Sequence, residues 1–298
     1  QAEIIKPILI LGPTPMWALQ SAIENNLEIT LFRDEHLEDC LFVAQKMNRC
    51  IKAHIKIDTG MNRIGVRAED AKEFIFKAQN SSLIELKGLF SHLACAEIPC
   101  ETEKQIQKWN NVLKHLDPLP EYLHFSNSAG IITNKELSYN LVRVGLQIYG
   151  LHPELPKGFK QPTLKQVLTL KGRITHIHTA KLSEGVSYGY KYKVDKPKIT
   201  IATIPIGYAD GATRRLSGKI KGLIKQQKVP QIGSITMDQM MFDISEVDDV
   251  HVGDIITLLG EEDGTSISID EWAHTLDTIN YEIPCMLRVR LPRVYTNY

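Results

Sequence analysis

Over its first 150 residues or so, the chain alternates short apolar runs with stretches of helical spacing, and this alternation constrains the fold more than any other feature. The runs lie at 7–12, 27–32, 53–58, 84–94 and 122–126, and the helical stretches at 16–26, 35–48, 68–79 and 103–116. Continuous apolar runs of this length fit strands buried on both faces, and strands that alternate with helices imply a parallel sheet. A sixth strand is expected over 140–152, Asn-Leu-Val-Arg-Val-Gly-Leu-Gln-Ile-Tyr-Gly-Leu-His, with the charged Arg143 inside it and Gly145 two residues on. A guanidinium cannot be deprotonated, so a buried one needs a partner. A glycine lets a ligand come close to the backbone, although a structural ion pair beside a bulge explains the same pattern. Polar residues recur at or next to the ends of these runs, at Asp58, His92, Ser126 and Arg143. In a (β/α)8 barrel the C-terminal ends of the strands form the rim on which active sites are built. The expected fold is therefore an α/β (β/α)8 barrel, N-terminally incomplete in this chain, with about six of the eight units present.

The texture changes after Gly150. Residues 152–162 are polar and Pro-rich, as a linker would be, and from about 165 onward short alternating segments rich in Val, Ile and Thr are separated by glycines. Such segments at 168–180, 198–206, 222–225, 229–235, 240–244 and 254–259 read as strands of an all-β domain, with one helix expected over 268–276. The expected domains are 1–162, a partial barrel, and 163–298, a C-terminal β domain.

Composition narrows the function classes. With 298 residues and 43% hydrophobic content the chain can bury a large core, and its 35 Lys plus Arg balance 35 Asp plus Glu. No net field therefore points to nucleic acid or to an anionic membrane surface. Five cysteines, an odd number without CxxC or zinc spacing, read as reduced thiols of a cytoplasmic protein with no metal site. No apolar run reaches the roughly 18 residues of a membrane span. The chain opens at Gln1 without Met and without a visible signal peptide.

Five segments set polar groups beside glycines or strand ends. In residues 54–63 Lys56 should point into the barrel and Arg63 should follow the strand end, where an arginine is commonly just a solvated charge. His92 follows Phe90-Ser91, and a lone histidine there is often a core residue. In His124-Phe-Ser-Asn-Ser128 a strand runs into a helix start whose hydroxyls and free N–H groups suit a phosphate, but a plain N-cap explains Ser126 or Asn127 equally well. Tyr188 and Tyr208 sit among glycines in the β domain, where aromatic packing at a turn is the usual reason.

Together these phrases closely resemble the alanine racemases, fold-type III pyridoxal phosphate enzymes. The resemblance is carried, in family order, by Lys-Ile-Asp-Thr-Gly-Met-Asn-Arg (56–63), His-Phe-Ser-Asn-Ser (124–128), Val-Arg-Val-Gly-Leu-Gln-Ile-Tyr-Gly-Leu (142–151) and Val-Ser-Tyr-Gly (186–189). It continues through Ile-Pro-Ile-Gly-Tyr-Ala-Asp-Gly (204–211), Gly-Ser-Ile-Thr-Met-Asp-Gln (233–239) and Thr-Ile-Asn-Tyr-Glu-Ile-Pro (278–284). It implies racemisation of alanine on pyridoxal 5'-phosphate by a homodimer with shared active sites. Arg143 would face the pyridine nitrogen, His92 would bond to Arg143, and His124 would pack against the cofactor ring. Ser128, the backbone of Gly145 and Leu146, and Tyr281 would hold the phosphate. Arg63, supported by Lys56, would bind the substrate carboxylate and touch the cofactor; Lys56 is carbamylated in many relatives.

Racemisation needs a base on each face of the Cα, and the resemblance makes Tyr188 one of them, serving the partner's site. A phenol is ordinarily protonated at neutral pH, so its anion would need neighbours such as His92 and Arg143. Met237, Tyr208 and Asp238 would line the substrate entrance. The second base in the family is the lysine that binds the cofactor as a Schiff base, in a Lys-Ala-Asn-Ala-Tyr-Gly-like phrase, and no such phrase occurs here. The expectation is an alanine racemase lacking its N-terminal part. The competing readings are an inactive truncated paralogue that binds or dimerises, and a pyridoxal enzyme of another class. Arg143 disfavours the latter, because a carboxylate is expected at the pyridine nitrogen there.

Overall fold

The structure is a computed structural model that describes residues 4–296. The chain divides into two compact units, Gln1–Gln147 with His152–Thr163, and Ile148–Leu151 with Leu164–Tyr298.

In the N-terminal unit the elements run β1 (Leu9–Ile10), α1 (Met16–Glu24), β2 (Glu28–Leu31), α2 (Asp34–Met47), β3 (Ile51–Asp58), β4 (Val66–Arg67), α3 (Ala71–Gln79), β5 (Ile84–Phe90), α4 (Pro99–Leu113), β6 (Tyr122–His124) and α5 (Ser128–Thr133). The sheet has the order β1-β2-β3-β5-β6 with β4 beside β3, and every pair is parallel. The central strand β3 is buried almost throughout, on its polar face of His54, Lys56 and Asp58 as well as on its apolar one. Leu19, Leu37, Val43, Phe74, Ile75, Trp109 and Val112 from the helices close over Ile29, Leu31, Ile55 and Ile57 from the strands.

The strand expected over 140–152 does not form. Residues 141–145 are irregular and Leu146–Tyr149 is a single 3-10 turn. The reason is that the polar groups of this stretch are taken one by one by unrelated partners. Arg143 N donates to Ser126 O at 3.0 Å, and Gly145 N donates to Ser128 Oγ at 3.2 Å. The Arg143 side chain turns back toward the ends of β5 and β6, and no ladder can propagate from such a pattern. The sixth strand of the sheet is instead the two-residue β4, which the sequence reading missed.

The C-terminal unit contains β7 (Leu170–Arg173), β8 (His176–Lys181), β9 (Gly185–Val186), β10 (Tyr192–Lys193), β11 (Lys198–Ile204), β12 (Lys221–Ile224), β13 (Gln227–Ile232), β14 (Met240–Asp243), β15 (Ile255–Glu262), β16 (Thr265–Ile267), α6 (Ile269–Leu276) and α7 (Glu282–Met286). An antiparallel sheet in the order β16-β15-β12-β13-β14-β11-β8, with β7 beside β15, forms its body, and β9 pairs with β10 apart from it. Helix α6 starts in a capping box: Glu271 N donates to Ser268 Oγ, and Ser268 N donates to Glu271 Oε1. The sequence reading passed over β9, β10, β16 and α7, whose two to five residues give too short a pattern to read.

Trp109, fully buried on α4, packs against Phe125 and donates Nε1–H to Tyr139 Oη at 2.9 Å. Trp109→Ala is expected to lower the unfolding free energy by about 3–5 kcal/mol, and Tyr139→Phe by only about 1 kcal/mol. Urea denaturation measures both; equal losses would contradict a packing role for the indole.

Candidate active site

The sheet register builds the site. His54 on β3 lies opposite Thr30 on β2 and Gly88 on β5, and Gly88 lies opposite Tyr122 on β6. One step further along the strands, Lys56, Phe90 and His124 form a second row. Side chains alternate between the faces of a strand, so both rows point to the same face, together with Asp58 beyond them. The apparently polar phrase His-Ile-Lys-Ile-Asp is thus one polar face interleaved with the buried Ile55 and Ile57.

Phe90 is the platform of this face. Its ring stacks on His124 with centroids 4.6 Å apart and planes 8° from parallel. The Arg143 guanidinium carbon lies 5.2 Å from its centroid and Lys56 Nζ 5.6 Å from it. Phe90 thus covers one face of the fully buried His124.

Arg143 is held by the strand ends. Nη1 donates to His124 O at 2.9 Å and to His124 Nδ1 at 2.7 Å. Nη2 donates to Ser91 O, to Phe125 O at 3.1 Å and to His92 Nδ1 at 3.4 Å. Among the described residues no carboxylate pairs with the guanidinium, and no hydrogen bond uses its Nε. Desolvation lowers its pKa to about 10, which leaves it charged at neutral pH.

The surrounding groups feel this cation. Burial, then Arg143, Lys56 and Arg63, bring His92 down to about 4. Burial, then Arg143 and His54, drive His124 far below the usual imidazole range. Both rings are therefore neutral acceptors at Nδ1. Lys56 is brought down to about 8 by burial first, with Arg63 and Arg143 adding to it against Asp58.

Asp58 Oδ1 accepts from Gly60 N at 2.8 Å and Asn62 N at 3.1 Å, which folds the loop that ends in the exposed Arg63. Gly65, at φ +132°, passes so close to Asp58 that an added Cβ would stand 2.8 Å from its backbone nitrogen. Gln105 of α4 locks the same end of the sheet, donating to Thr59 Oγ1 and His92 O and accepting from Ala94 N. On the other side Asn127 caps α5 by accepting from Gly130 N. Ser128 Oγ meets Gly145 N, and Leu146 is buried as it opens the 3-10 turn.

In the C-terminal unit Ser187 Oγ donates to Ser234 O, and Ser234 Oγ donates to Tyr188 O, so the turn is fixed while 71% of Tyr188 is exposed. Tyr208 N and Ala209 N donate to Thr236 O and Met237 O, both at 3.0 Å, which brings Tyr208 and Met237 into facing turns. Gly207 allows this approach, since a Cβ there would lie 2.3 Å from Thr236 O. Arg290 joins Asp210 at 3.0 Å and Asp238 at 2.7 Å, tying both turns to the chain's last residues. Tyr281 stands at the start of α7, partly exposed. The sequence reading singled out neither Phe90 nor Gln105 nor Arg290. All three act through partners distant along the chain, and only for Phe90 did the sequence hold a hint, its place in a strand two residues before His92.

Residues 1–153 match the family described as alanine racemase, N-terminal domain, and residues 167–295 match alanine racemase, C-terminal domain. The chain is 38% identical over 308 residues to an alanine racemase of Nostoc sp., with 99% of this chain and 78% of the relative covered. Among solved structures, an alanine racemase of Clostridium difficile matches with a TM-score of 0.90 at 36% identity, over 99% of this chain and 77% of that one. The alanine racemase from Bacillus anthracis with bound L-Ala-P matches with a TM-score of 0.88 at 33% identity, over 99% and 77%.

The depressed Lys56 pKa has a consequence for stability. The unfolded lysine titrates near 10.5 and the folded one near 8, so between these values the unfolded state binds more protons and stability rises with pH. The excess stability of Lys56→Met over the wild type should therefore be largest below about pH 8 and shrink toward pH 10.5. Chemical denaturation at several pH values reads this, and a difference that stays constant with pH would contradict it.

Proposed function

Because this chain belongs to the alanine racemase family of pyridoxal phosphate-dependent isomerases, we propose that it interconverts L- and D-alanine by a two-base mechanism in which Tyr188 is one base. The observation that carries the reading is Arg143, a cation secured by carbonyls and neutral imidazoles with its Nε still available to a ligand.

The N-terminal unit fits pyridoxal phosphate on three grounds. The Nε of Arg143 is a donor suited to a pyridine nitrogen. Ser126 Oγ is buried without a partner. At Gly145 an added Cβ would meet nothing within 4 Å, so there is room for a ligand beside its Cα. In this reading Arg143 faces the pyridine nitrogen, and Ser128 with the backbone of Gly145 and Leu146 holds the phosphate. Tyr281 joins them on the strength of the family match alone. The bound cofactor would draw electrons from the substrate Cα and so acidify its proton.

The chain's own residues do the rest. A permanent cation at the pyridine nitrogen keeps a proton off it, which moderates the electron demand and restrains side reactions. His92 accepts from Arg143 at Nδ1, so its hydrogen sits on Nε2, where it can donate to a phenolate oxygen. Tyr188, exposed on its fixed turn, takes or returns the Cα proton in the site of a second copy of the chain, and Met237, Tyr208 and Asp238 line the entrance there. Arg63, with Lys56 beneath it, binds the substrate carboxylate. The opposite face of the Cα needs a second base. Lys56, the one lysine buried among the described residues, lies over Phe90, and this reading gives it the supporting role toward Arg63. We therefore assign the second base to none of the lysines in this sequence.

The test is D-alanine formation from L-alanine by the full-length protein with added pyridoxal phosphate. Tyr188→Phe should lower kcat by about 100-fold or more with little change in KM. A wild type without racemisation would overturn the function, and a fully active Tyr188→Phe would overturn the base assignment.

A further inference from the structure

Behind Arg143 runs a line of buried polar groups, His124, His54 and Glu28, of which the sequence reading gave a role to His124 alone, as a ring packed against the cofactor. Arg143 Nη1 meets His124 Nδ1 at 2.7 Å, His124 Nε2 meets His54 Nδ1 at 2.9 Å, and His54 Nε2 meets Glu28 Oε2 at 2.9 Å. Glu28, His54 and His124 are all buried. The hydrogens along this line can be placed by elimination. A guanidinium only donates, so His124 must accept at Nδ1 and carry its hydrogen on Nε2. That hydrogen points at His54 Nδ1, which must accept in turn, so the hydrogen of His54 sits on Nε2 and is donated to Glu28. The three bonds run one way, from the cation to the carboxylate, through two neutral rings.

From this geometry we propose that Glu28 and His54 are positioning residues of the candidate site: the Glu28 carboxylate fixes the His54 tautomer, which fixes that of His124, so that His124 presents a lone pair to Arg143. The proposal rests on the reading of Arg143 as the cofactor-facing cation. The alternative polarity shows why the carboxylate matters. If His54 carried its hydrogen on Nδ1, His124 would have to accept at Nε2 and would turn an N–H against the guanidinium. Two donors 2.7 Å apart repel, and Arg143 would be pushed from its seat. An ionised carboxylate accepts but never donates, so it excludes that state. Burial holds both imidazoles below their ordinary pKa, for His54 even against the pull of Glu28, in keeping with two neutral rings.

The surroundings are built to admit this line. An added Cβ at Gly88 would stand 2.5 Å from His54 Nδ1 and 2.8 Å from Tyr122 O, so the missing side chain makes the space for the imidazole. Tyr122 stacks on the His54 ring at 5.9 Å and Phe90 on the His124 ring at 4.6 Å, which restrict each imidazole to its own plane, the two standing 70° apart so that one ring meets the edge of the other.

Neutron diffraction from the full-length protein tests the polarity directly. Deuterium is expected on Nε2 of both His54 and His124, with both Nδ1 atoms bare and Glu28 ionised. Deuterium on His124 Nδ1, or a protonated Glu28 beside a bare His54 Nε2, would overturn the proposal. This arm does not depend on turnover, so it stands apart from the assignment of the activity. Glu28→Gln keeps the shape but can donate as well as accept, which permits both polarities. It should lower kcat for alanine about ten-fold, as loss of a supporting partner behind a reacting group commonly does, with KM within about two-fold and the denaturation midpoint little changed. An unchanged kcat, or a loss of kcat that merely follows a loss of folded protein, would overturn it.

Discussion

The structure of the candidate site depends on one problem, the seating of a permanent cation in a mostly buried place with no carboxylate of the described residues against it. Burying a charge is costly unless it is fully hydrogen-bonded. Arg143 meets this demand with carbonyl oxygens of Ser91, His124 and Phe125 and with two imidazole nitrogens. The three carbonyls lie at or just past the ends of β5 and β6, where the ladder stops. A direct carboxylate would have stabilised the cation more simply, but it would also have neutralised its field toward a ligand. The arrangement keeps that field.

The same cation sets the state of its neighbours. His92 and His124 must be neutral to accept, and burial together with the positive charge holds them so. Lys56 shares this field, which is why burial and two arginines bring its pKa down to about 8. Phe90 makes such crowding tolerable, because one aromatic ring lies beside both cations while stacking on His124. Packing and electrostatics are thus not separate terms here. Removal of the ring would leave two cations without the surface they lie on.

Much of this was legible in the sequence, and the limits have physical causes. A strand was legible over 53–58, with Lys56 expected to point inward, and the structure has β3 there with Lys56 buried. The parallel sheet and its helices could be read because buried strands leave continuous apolar runs. Residues 140–152 misled because β-branched alternation also suits an extended segment whose polar groups are taken by unrelated partners. Glu28 and Gly88 stayed silent for another reason. Each matters only through His54, which lies 26 residues from the carboxylate along the chain, and only the register of β2, β3 and β5 brings them together. In the C-terminal unit the motif turns were visible, but Arg290, which clamps two of them through Asp210 and Asp238, acts from the far end of the sequence.

The claim on which these points converge is that a guanidinium, and not an acid, addresses the cofactor's ring nitrogen. Nitrogen-15 NMR of the full-length protein loaded with pyridoxal phosphate labelled at the pyridine nitrogen measures this most directly. The account predicts the chemical shift of an unprotonated, hydrogen-bonded pyridine nitrogen, changed in Arg143→Lys. A pyridinium shift in the wild type, or a shift indifferent to that substitution, would contradict it.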